Sequence, residues 1–495
     1  MATGRRSNIL LFLADDQGAW AMGCAGNREI RTPNLDRLAA TGTRFDNFFC
    51  SSPVCSPARA TILTGRMPSQ HGVHDWIRGG NMPGDRDGCG SVIPYLAGQT
   101  GYTDRLARAG YVCGLSGKWH LGDSPRPQNG MTFWEVHAGG GGPYYHAPMI
   151  RDGVAYTEPR YVTDAITDNA LRFLEQRKGR PEPFCLNVHY TAPHSPWDRE
   201  HHPKDLYDDY FRNCPFDSTP RLPMHPWQVD SAPCGYTEEA RRAVLSGYYA
   251  AITAMDTNIG RVLDWLEREG LRGETLVVFL SDNGMNMGHH GLFGKGNATF
   301  PLNLFDTSVK VPMLASQPGC VPSGTVETGL WSQYDFLPTL LEWAGVPEAP
   351  SDHLPGRSFA PVLRGVASDG AAPVVVFDEY GPVRMIRDRR WKYVHRYPYG
   401  PHELYDLAND PDEASNLHGR TEHAERTIEL SAALDAWFER YVVPARDGAR
   451  EGVTGKGQLR PCGAAAAGMR AYAEDWRYLS GRPFEPYPPV VSGIV

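Results

Sequence analysis

The sequence predicts an α/β fold: a mostly parallel sheet sandwiched by helices, then a smaller C-terminal α+β lobe of short antiparallel sheet plus one helix. Three observations predict it. Apolar runs too continuous for half-exposed strands recur along the first 280 residues. Helical patterns lie between them. After about residue 370 the runs shorten and turns crowd in.

Taken in order, 8–14 (NILLFLA) reads as a buried strand and 33–45 as a helix carrying Leu35 and Leu38. Residues 111–116 (YVCGLS) and 184–190 (FCLNVHY) are further strands, with a helix over 161–177 between them. A helix over 238–269 places Leu245, Tyr249, Ile252, Met255 and Ile259 at i, i+3/i+4 spacing. The run 275–280 (TLVVFL), bounded by Gly273 and by Asp282-Asn283-Gly284, is the clearest strand. Beyond it, 374–380, 383–386, 391–395 and 403–407 read as short strands and 424–441 as a helix. The expected organisation is a main domain over 1–370, the small lobe over 371–445, and a tail over 446–495 packing on the surface.

Composition narrows the function. The 495 residues carry 49 Lys and Arg against 57 Asp and Glu, a net charge of −8, which argues against a nucleic-acid partner. Any anion site must therefore be made locally. With 53 Gly and 41 Pro the chain is rich in ordered loops, where sites are usually built. No apolar stretch approaches the ~18–20 residues that cross a bilayer, so no membrane partner is expected. The start, MATGRRSNILLFLA, sets two Arg before an apolar run as a signal peptide does. That run is short and meets Asp15-Asp16 with no small-residue cleavage site. A buried strand fits better, and a cytoplasmic location is the expectation. The 10 Cys include no Cys-x-x-Cys pair, so most are expected to be small buried hydrophobes.

The strands end in chemistry. The first ends in Asp15-Asp16, 111–116 runs into Lys118-Trp119-His120, 184–190 into Pro193-His194, and 275–280 into Asp282-Asn283. In an open α/β sheet, ligands sit beyond the carboxyl ends of the strands. Each pair alone also suits an N-cap or Asx turn. Two acidic pairs on one sheet edge point instead to hard oxygen ligands, suited to Ca²⁺ or Mg²⁺ rather than zinc. The most specific signal is Cys55-Ser56-Pro57-Ala58-Arg59. Pro57 and the residues after it read as a helix start, which puts Cys55 at the positive end of a helix. Arg59 lies about one turn on, near enough to hold an anion or the group on Cys55. On position alone, an ordinary reactive thiol is the alternative.

With this motif, followed by Leu63-Thr64-Gly65-Arg66, the chain resembles the type I sulfatases of the alkaline phosphatase superfamily. The resemblance runs through Ala14-Asp15-Asp16-Gln17-Gly18, Gly117-Lys118-Trp119-His120-Leu121-Gly122, Ala192-Pro193-His194-Ser195-Pro196 and Ser281-Asp282-Asn283-Gly284. It continues through Gly291-Leu292-Phe293-Gly294-Lys295-Gly296, Lys310-Val311-Pro312 and Glu403-Leu404-Tyr405-Asp406-Leu407, in family order over nearly the whole chain. It implies an alkaline-phosphatase-like sheet and hydrolysis of a sulfate ester, with Cys55 converted to Cα-formylglycine by a maturation enzyme. Asp15, Asp16, Asp282 and Asn283 would hold a divalent cation, most often Ca²⁺ with Mg²⁺ as the alternative. Residue 55, hydrated, would set one hydroxyl on that metal and attack sulfur. Arg59 and His120 would hold its gem-diol, and Lys118, His194 and Lys295 would grip sulfate oxygens and the leaving oxygen. The inventory suits the chemistry, because an alkoxide leaving group needs a cation or acid beside it and a metal lowers the pKa of the nucleophile.

Trp76, Arg78, Asn81 and the aromatic-rich 390–401 look like subsites for a polar, ring-shaped substrate. A sulfated sugar, small or oligosaccharide, is the first expectation, then an aryl sulfate, then choline sulfate. The rivals are a formylglycine phosphonate monoester or phosphodiester hydrolase and a non-catalytic glycan-binding relative. His290, beside His289, is either a substrate contact or part of a turn, and one of His71 and His74 is expected to reach the pocket. Gly139–Gly142 is expected to form a mobile loop near the site mouth, and Cys50 to be buried and unmodified.

Overall fold

The computed structural model describes residues 6–85, 90–347, 353–366 and 375–474. Residue 374 of the expected strand 374–380 and the tail beyond 474 lie outside the described residues. The first eight strands are β1 (Asn8–Ala14), β2 (Thr43–Phe49), β3 (Val112–Lys118), β4 (Met131–His137), β5 (Ala147–Arg151), β6 (Val154–Glu158), β7 (Phe184–His189) and β8 (Thr275–Ser281). A two-residue pair, β9 (Asn286–Met287) and β10 (Phe293–Gly294), precedes β11 (Lys310–Ser316) and β12 (Thr325–Ser332). Ten of these strands form one sheet in the order β12-β2-β11-β8-β1-β7-β3-β4-β5-β6. The centre, β8-β1-β7-β3-β4, is parallel throughout. Only β11, β5 and β6 run against their neighbours.

All seven residues of β1 and of β8 are buried, which is why both read as unbroken apolar runs. Side chains alternate across a strand, so β1 feeds two cores. Ile9, Leu11 and Leu13 pack with the helices Cys55–Thr64, Tyr102–Arg108 and Phe336–Trp343. Leu10, Phe12 and Ala14 pack with Val162–Arg177 and the long Glu238–Arg268 helix. Each of these Ile, Leu and Phe side chains, fully buried, is worth about 1.5–3 kcal/mol. Among the described residues no helix is long and apolar enough to cross a membrane.

The expected helix over 33–45 is corrected: it spans Pro33–Ala40, and Thr43–Phe49 is strand β2. The turn is forced at Gly42, where any Cβ would lie 2.2 Å from the Ala315 carbonyl of β11. Phe45, Phe48 and Phe49 are then buried by the sheet rather than by a helix face. The small lobe is a four-stranded antiparallel sheet of β13 (Val376–Tyr380), β14 (Val383–Arg387), β15 (Trp391–Arg396) and β16 (Glu403–Asp406). The helix Ala424–Tyr441 closes it through Leu430, Leu434 and Phe438. Residues 453–459 do not follow the expectation of a surface tail: they run against 72–78, with Gln458 wholly buried.

The long helix also reaches the active end of β1. Tyr248 Oη donates to the Asp16 carbonyl at 2.9 Å and accepts from Gly18 N–H at 3.0 Å. Tyr248→Phe keeps the packing and orphans both buried backbone groups. It is expected to cost about 1–3 kcal/mol, read as a lower urea midpoint at unchanged m value. A wild-type midpoint would show that the hydroxyl does not hold this turn.

Candidate active site

Parallel pairing sets the site. Ala14 pairs with Ser281 across β1 and β8, so Asp15-Asp16 and Asp282-Asn283 leave the sheet level with each other. Asp282 N–H donates to the Ala14 carbonyl and Asp15 N–H to the Ala192 carbonyl after β7, which locks three strand ends together. Asp16 sits in the left-handed region, with φ 70°, and its N–H donates to Asp282 Oδ1 at 3.1 Å. Carboxylate oxygens of Asp15, Asp16 and Asp282 lie within 4.8 Å of one another, all buried. Asn283 Nδ2 donates to Asp16 Oδ1 at 2.9 Å, while its Oδ1 is buried without a hydrogen-bond partner.

That donor set fits a hard divalent cation: three carboxylates and one amide oxygen with nothing else to bond. The electrostatics agree. Burial and the Asp15 charge push the Asp282 carboxyl up, a penalty that a cation between them would relieve. Burial would raise Asp15 too, but Lys118, then His194 and Arg59, hold its carboxyl well below the usual carboxylate range.

Cys55 begins the helix Cys55–Thr64, every residue of which is buried. Its Sγ lies 3.2 Å from Asp15 Oδ1 and 2.9 Å from Lys295 Nζ. Burial and the Asp15 carboxylate push the thiol up, the reverse of what a thiolate nucleophile needs. One turn on, Arg59 Nε donates to Asp282 Oδ2 at 2.9 Å and Nη1 to the Lys118 carbonyl at 3.2 Å. Lys118, on the last residue of β3, pairs with Asp15, and Lys295 pairs with Asp16. Burial opposes the Lys295 charge, but Asp16 and the Cys55 sulfur hold its pKa well above the ordinary value.

Two imidazoles complete the set. His120 Nε2 lies 2.8 Å from the Ile77 carbonyl and its Nδ1 is buried without a hydrogen-bond partner. His194 Nδ1 lies 2.7 Å from the Ser195 carbonyl, and Nε2 faces Asp16 Oδ2 at 3.7 Å. Since a carbonyl only accepts, Nε2 of His120 and Nδ1 of His194 carry the ring protons. Burial lowers the pKa of both rings.

A cavity of about 370 Å³ opens onto these groups, lined by Asp16, Cys55, His120, His194 and Lys295 together with Trp76. Arg78 is buried beside it, with Nη1 towards the Lys456 carbonyl, and is not part of the lining. His290 is also elsewhere. It stacks on Phe305 at 4.0 Å and lines a neighbouring cavity with His225 and Glu413. His71 and His74 are both structural, held by Thr61 and by the Arg446 carbonyl. Asn81 bonds the Ile77 carbonyl, and Cys50 is buried in the core. The sequence reading missed Trp197, Ser231, Met285 and Asn297, which line the cavity. Asn297 had a signal, two residues after Lys295, as did Trp197 and Met285, each directly after a motif; Ser231 comes from a loop with none. The glycine run does reach the site. A Cβ on Gly140 would lie 2.1 Å from His120 Nε2, and one on Gly141 3.1 Å from His194 Cε1.

Comparison with known proteins agrees with this geometry. Residues 7–346 match the family described as Sulfatase, and residues 288–439 the N-sulphoglucosamine sulphohydrolase C-terminal family. An N-acetylglucosamine-6-O-sulfatase from Bacteroides thetaiotaomicron is 30% identical over 88% of this chain and 87% of its own length. A choline-sulfatase from Rhizobium meliloti is 30% identical over 84% of this chain and 83% of its own. A solved structure of a protein bound to its substrate D-glucosamine-2-N,6-O-disulfate superposes with TM-score 0.73 at 27% identity, covering 90% of this chain and 100% of that one. Sulfatases generally use a formylglycine and a divalent metal. With the family match spanning the whole of the sheet that carries the carboxylates, lysines and imidazoles, the chain belongs to the sulfatase family, as a sulfuric ester hydrolase of the formylglycine-dependent type I group in the alkaline phosphatase superfamily.

Proposed function

We propose that this enzyme removes sulfate from a carbohydrate sulfate ester, using Ca²⁺ and a Cα-formylglycine made from Cys55 by a maturation enzyme. The observation that carries the reading is the cavity itself. Its lining joins Asp16 of the carboxylate cluster, Lys295, residue 55 and the two imidazoles to the indoles of Trp76 and Trp197. A volume of about 370 Å³ suits one ring-sized alcohol beside a sulfate group. The amino-sugar names of the similar proteins support the same class.

Asp15, Asp16, Asp282 and Asn283 would hold the cation. Calcium would supply positive charge at the reacting oxygens, and residue 55, as its hydrated aldehyde, the hydroxyl that attacks sulfur. His120 Nδ1, buried and unpartnered, would accept from that hydroxyl. Arg59 fixes Asp282 and so the shape of the cluster. Lys118 and Lys295 bring two ammonium groups to the sulfate end, where charge builds as the ester bond breaks. His194, with Nδ1–H committed to Ser195, would take a second proton on Nε2, which the facing Asp16 carboxylate favours against burial, and pass it to the leaving oxygen.

The direct test is kcat/KM over a panel of an amino-sugar 6-sulfate, 4-nitrophenyl sulfate, choline sulfate and a phosphodiester. The sugar sulfate is expected to lead, and a phosphodiester preference would overturn the reading. His194→Ala should slow the sugar sulfate about 10²–10⁴-fold more than the nitrophenyl ester, which leaves without an acid. Lys295→Ala should slow both alike; the opposite pattern reverses the two roles. Ca²⁺ should raise the melting temperature of the wild type and not of Asp282→Ala. An equal shift in both would refute the ligand set. Activity should track the aldehyde fraction measured from the mass of the peptide containing residue 55. Preparations of equal activity but different aldehyde content would exclude that nucleophile.

A further inference from the structure

The segment that follows the small lobe lies beyond residue 439, where the second family match ends. It nevertheless returns to the active cavity. Residue 458 bridges Ile77 as a parallel pair, and Gln458 holds 72–78 from several sides. Its N–H donates to the Trp76 carbonyl at 2.7 Å, its Oε1 accepts from His74 N–H at 2.9 Å, and its carbonyl accepts from Arg78 N–H at 2.9 Å. Gly457 N–H donates to Asp75 Oδ2 at 3.0 Å, and Tyr380 Oη from β13 donates to Asp75 Oδ1 at 2.7 Å.

The decisive contact is at Gly455. Its carbonyl accepts from Trp76 Nε1 at 3.3 Å and from Asn297 Nδ2 at 3.1 Å. Trp76 follows the Cys55 helix and Asn297 follows Lys295, so two segments far apart in the chain meet at this oxygen, and both line the cavity. One backbone oxygen thus ties the two segments together. With Nδ2 so committed, Asn297 has its amide oxygen and second N–H for a ligand. The indole face beside it suits the C–H face of a ring. Gly455 has φ 76°, a left-handed turn that aims the carbonyl at both partners.

We propose that residues 453–459 form a specificity strap: through the Gly455 carbonyl they set the spacing of Trp76 and Asn297, and so the fit of the alcohol-side ring, without touching the sulfate end. This rests on the reading that a sulfate ester fills the cavity. The strap residues are positioning residues. They contact neither Lys118, Lys295 nor His194 through any hydrogen bond described above.

The test compares the two ends of the substrate. A Cβ at Gly455 would sit 2.9 Å from Leu302 Cδ2 and 3.1 Å from Asn297 Cβ, pressing on that wall while the far end of Leu302 can give. In Gly455→Ala, KM for the ester the wild type prefers is expected to rise about fivefold or more, the scale of one lost hydrogen bond. Inhibition by inorganic sulfate, which needs only the sulfate end, should stay within about twofold of wild type. Equal weakening of both, or no change in KM, in a variant with a cooperative melt overturns the strap. If Gly455→Ala does not fold, Trp76→Phe decides, since it keeps an aromatic ring in the wall while removing the N–H that Gly455 accepts, with inorganic sulfate inhibition again the control for the sulfate end. A higher KM at similar kcat supports the strap, and a lower kcat at unchanged KM overturns it. Wild-type inactivity towards every ester of the panel would sink the reading of the cavity and the strap with it. An active wild type with an unmoved KM in the variant sinks the strap alone.

Discussion

Three carboxylates buried within 4.8 Å of one another repel strongly, and everything around them answers that repulsion. Arg59, Lys118 and Lys295 bring three positive charges, one from a helix, one from a strand end and one from a loop. Before any cation binds, the cluster is therefore balanced at formal zero. A divalent cation tips it to a surplus of positive charge, inside a chain whose overall charge is −8. An anion site is thus made locally against the sign of the whole molecule. Breaking one member leaves an uncompensated buried charge, which costs far more than the pair is worth. The site and the fold are for that reason one problem.

The sheet meets this demand by register rather than by strength of any one contact. Parallel strands share a carboxyl end, and the pairing of Ala14 with Ser281 brings two acidic pairs to one level. A slip of one residue would turn every apolar side chain of β1 to the wrong core and part the carboxylates as well. The same residues that bury the sheet therefore hold the ligand geometry. Cys55 profits from the arrangement in an unexpected way. The surroundings that keep its thiol protonated, with Sγ facing Asp15 and Asp16, suit the proposed formylglycine better than a thiolate nucleophile.

Much of this was legible in the chain. Central strands are buried on both faces, so β1, β7 and β8 announce themselves as apolar runs, and the polar residues that stop β1 and β8 form the carboxylate cluster. The helix Ala424–Tyr441 was readable to the residue because it is amphipathic and packs on one side only. Strand β2 was not. Phe45, Phe48 and Phe49 mimic a helical stripe until β11 and β12 are known to flank them. β5 and β6 lie at the sheet edge, with exposed residues such as Val154 that weaken any pattern. Within the site, motif residues were readable, and those that enter from distant loops were not. His290 shows the limit, since its neighbour in sequence to the site is real while its ring stacks away on Phe305. The contribution of Gly455 depends on a contact across 379 positions to Trp76, which no local pattern encodes.

The glycine loop against His120 and His194 divides the cavity into two walls with different prospects for change. At Gly140 any side chain would collide with the imidazole, so that wall admits almost no single substitution. Elsewhere in the lining, Trp76, Ser231, Met285 and Asn297 present side chains that differ in size and polarity and can be exchanged one at a time. New substrate preferences are therefore reachable by drift on one side only, while the other stays frozen by the geometry of the chemistry it touches. A lineage diverging from this sequence would keep its reaction and rewrite its ligand from the tryptophan side.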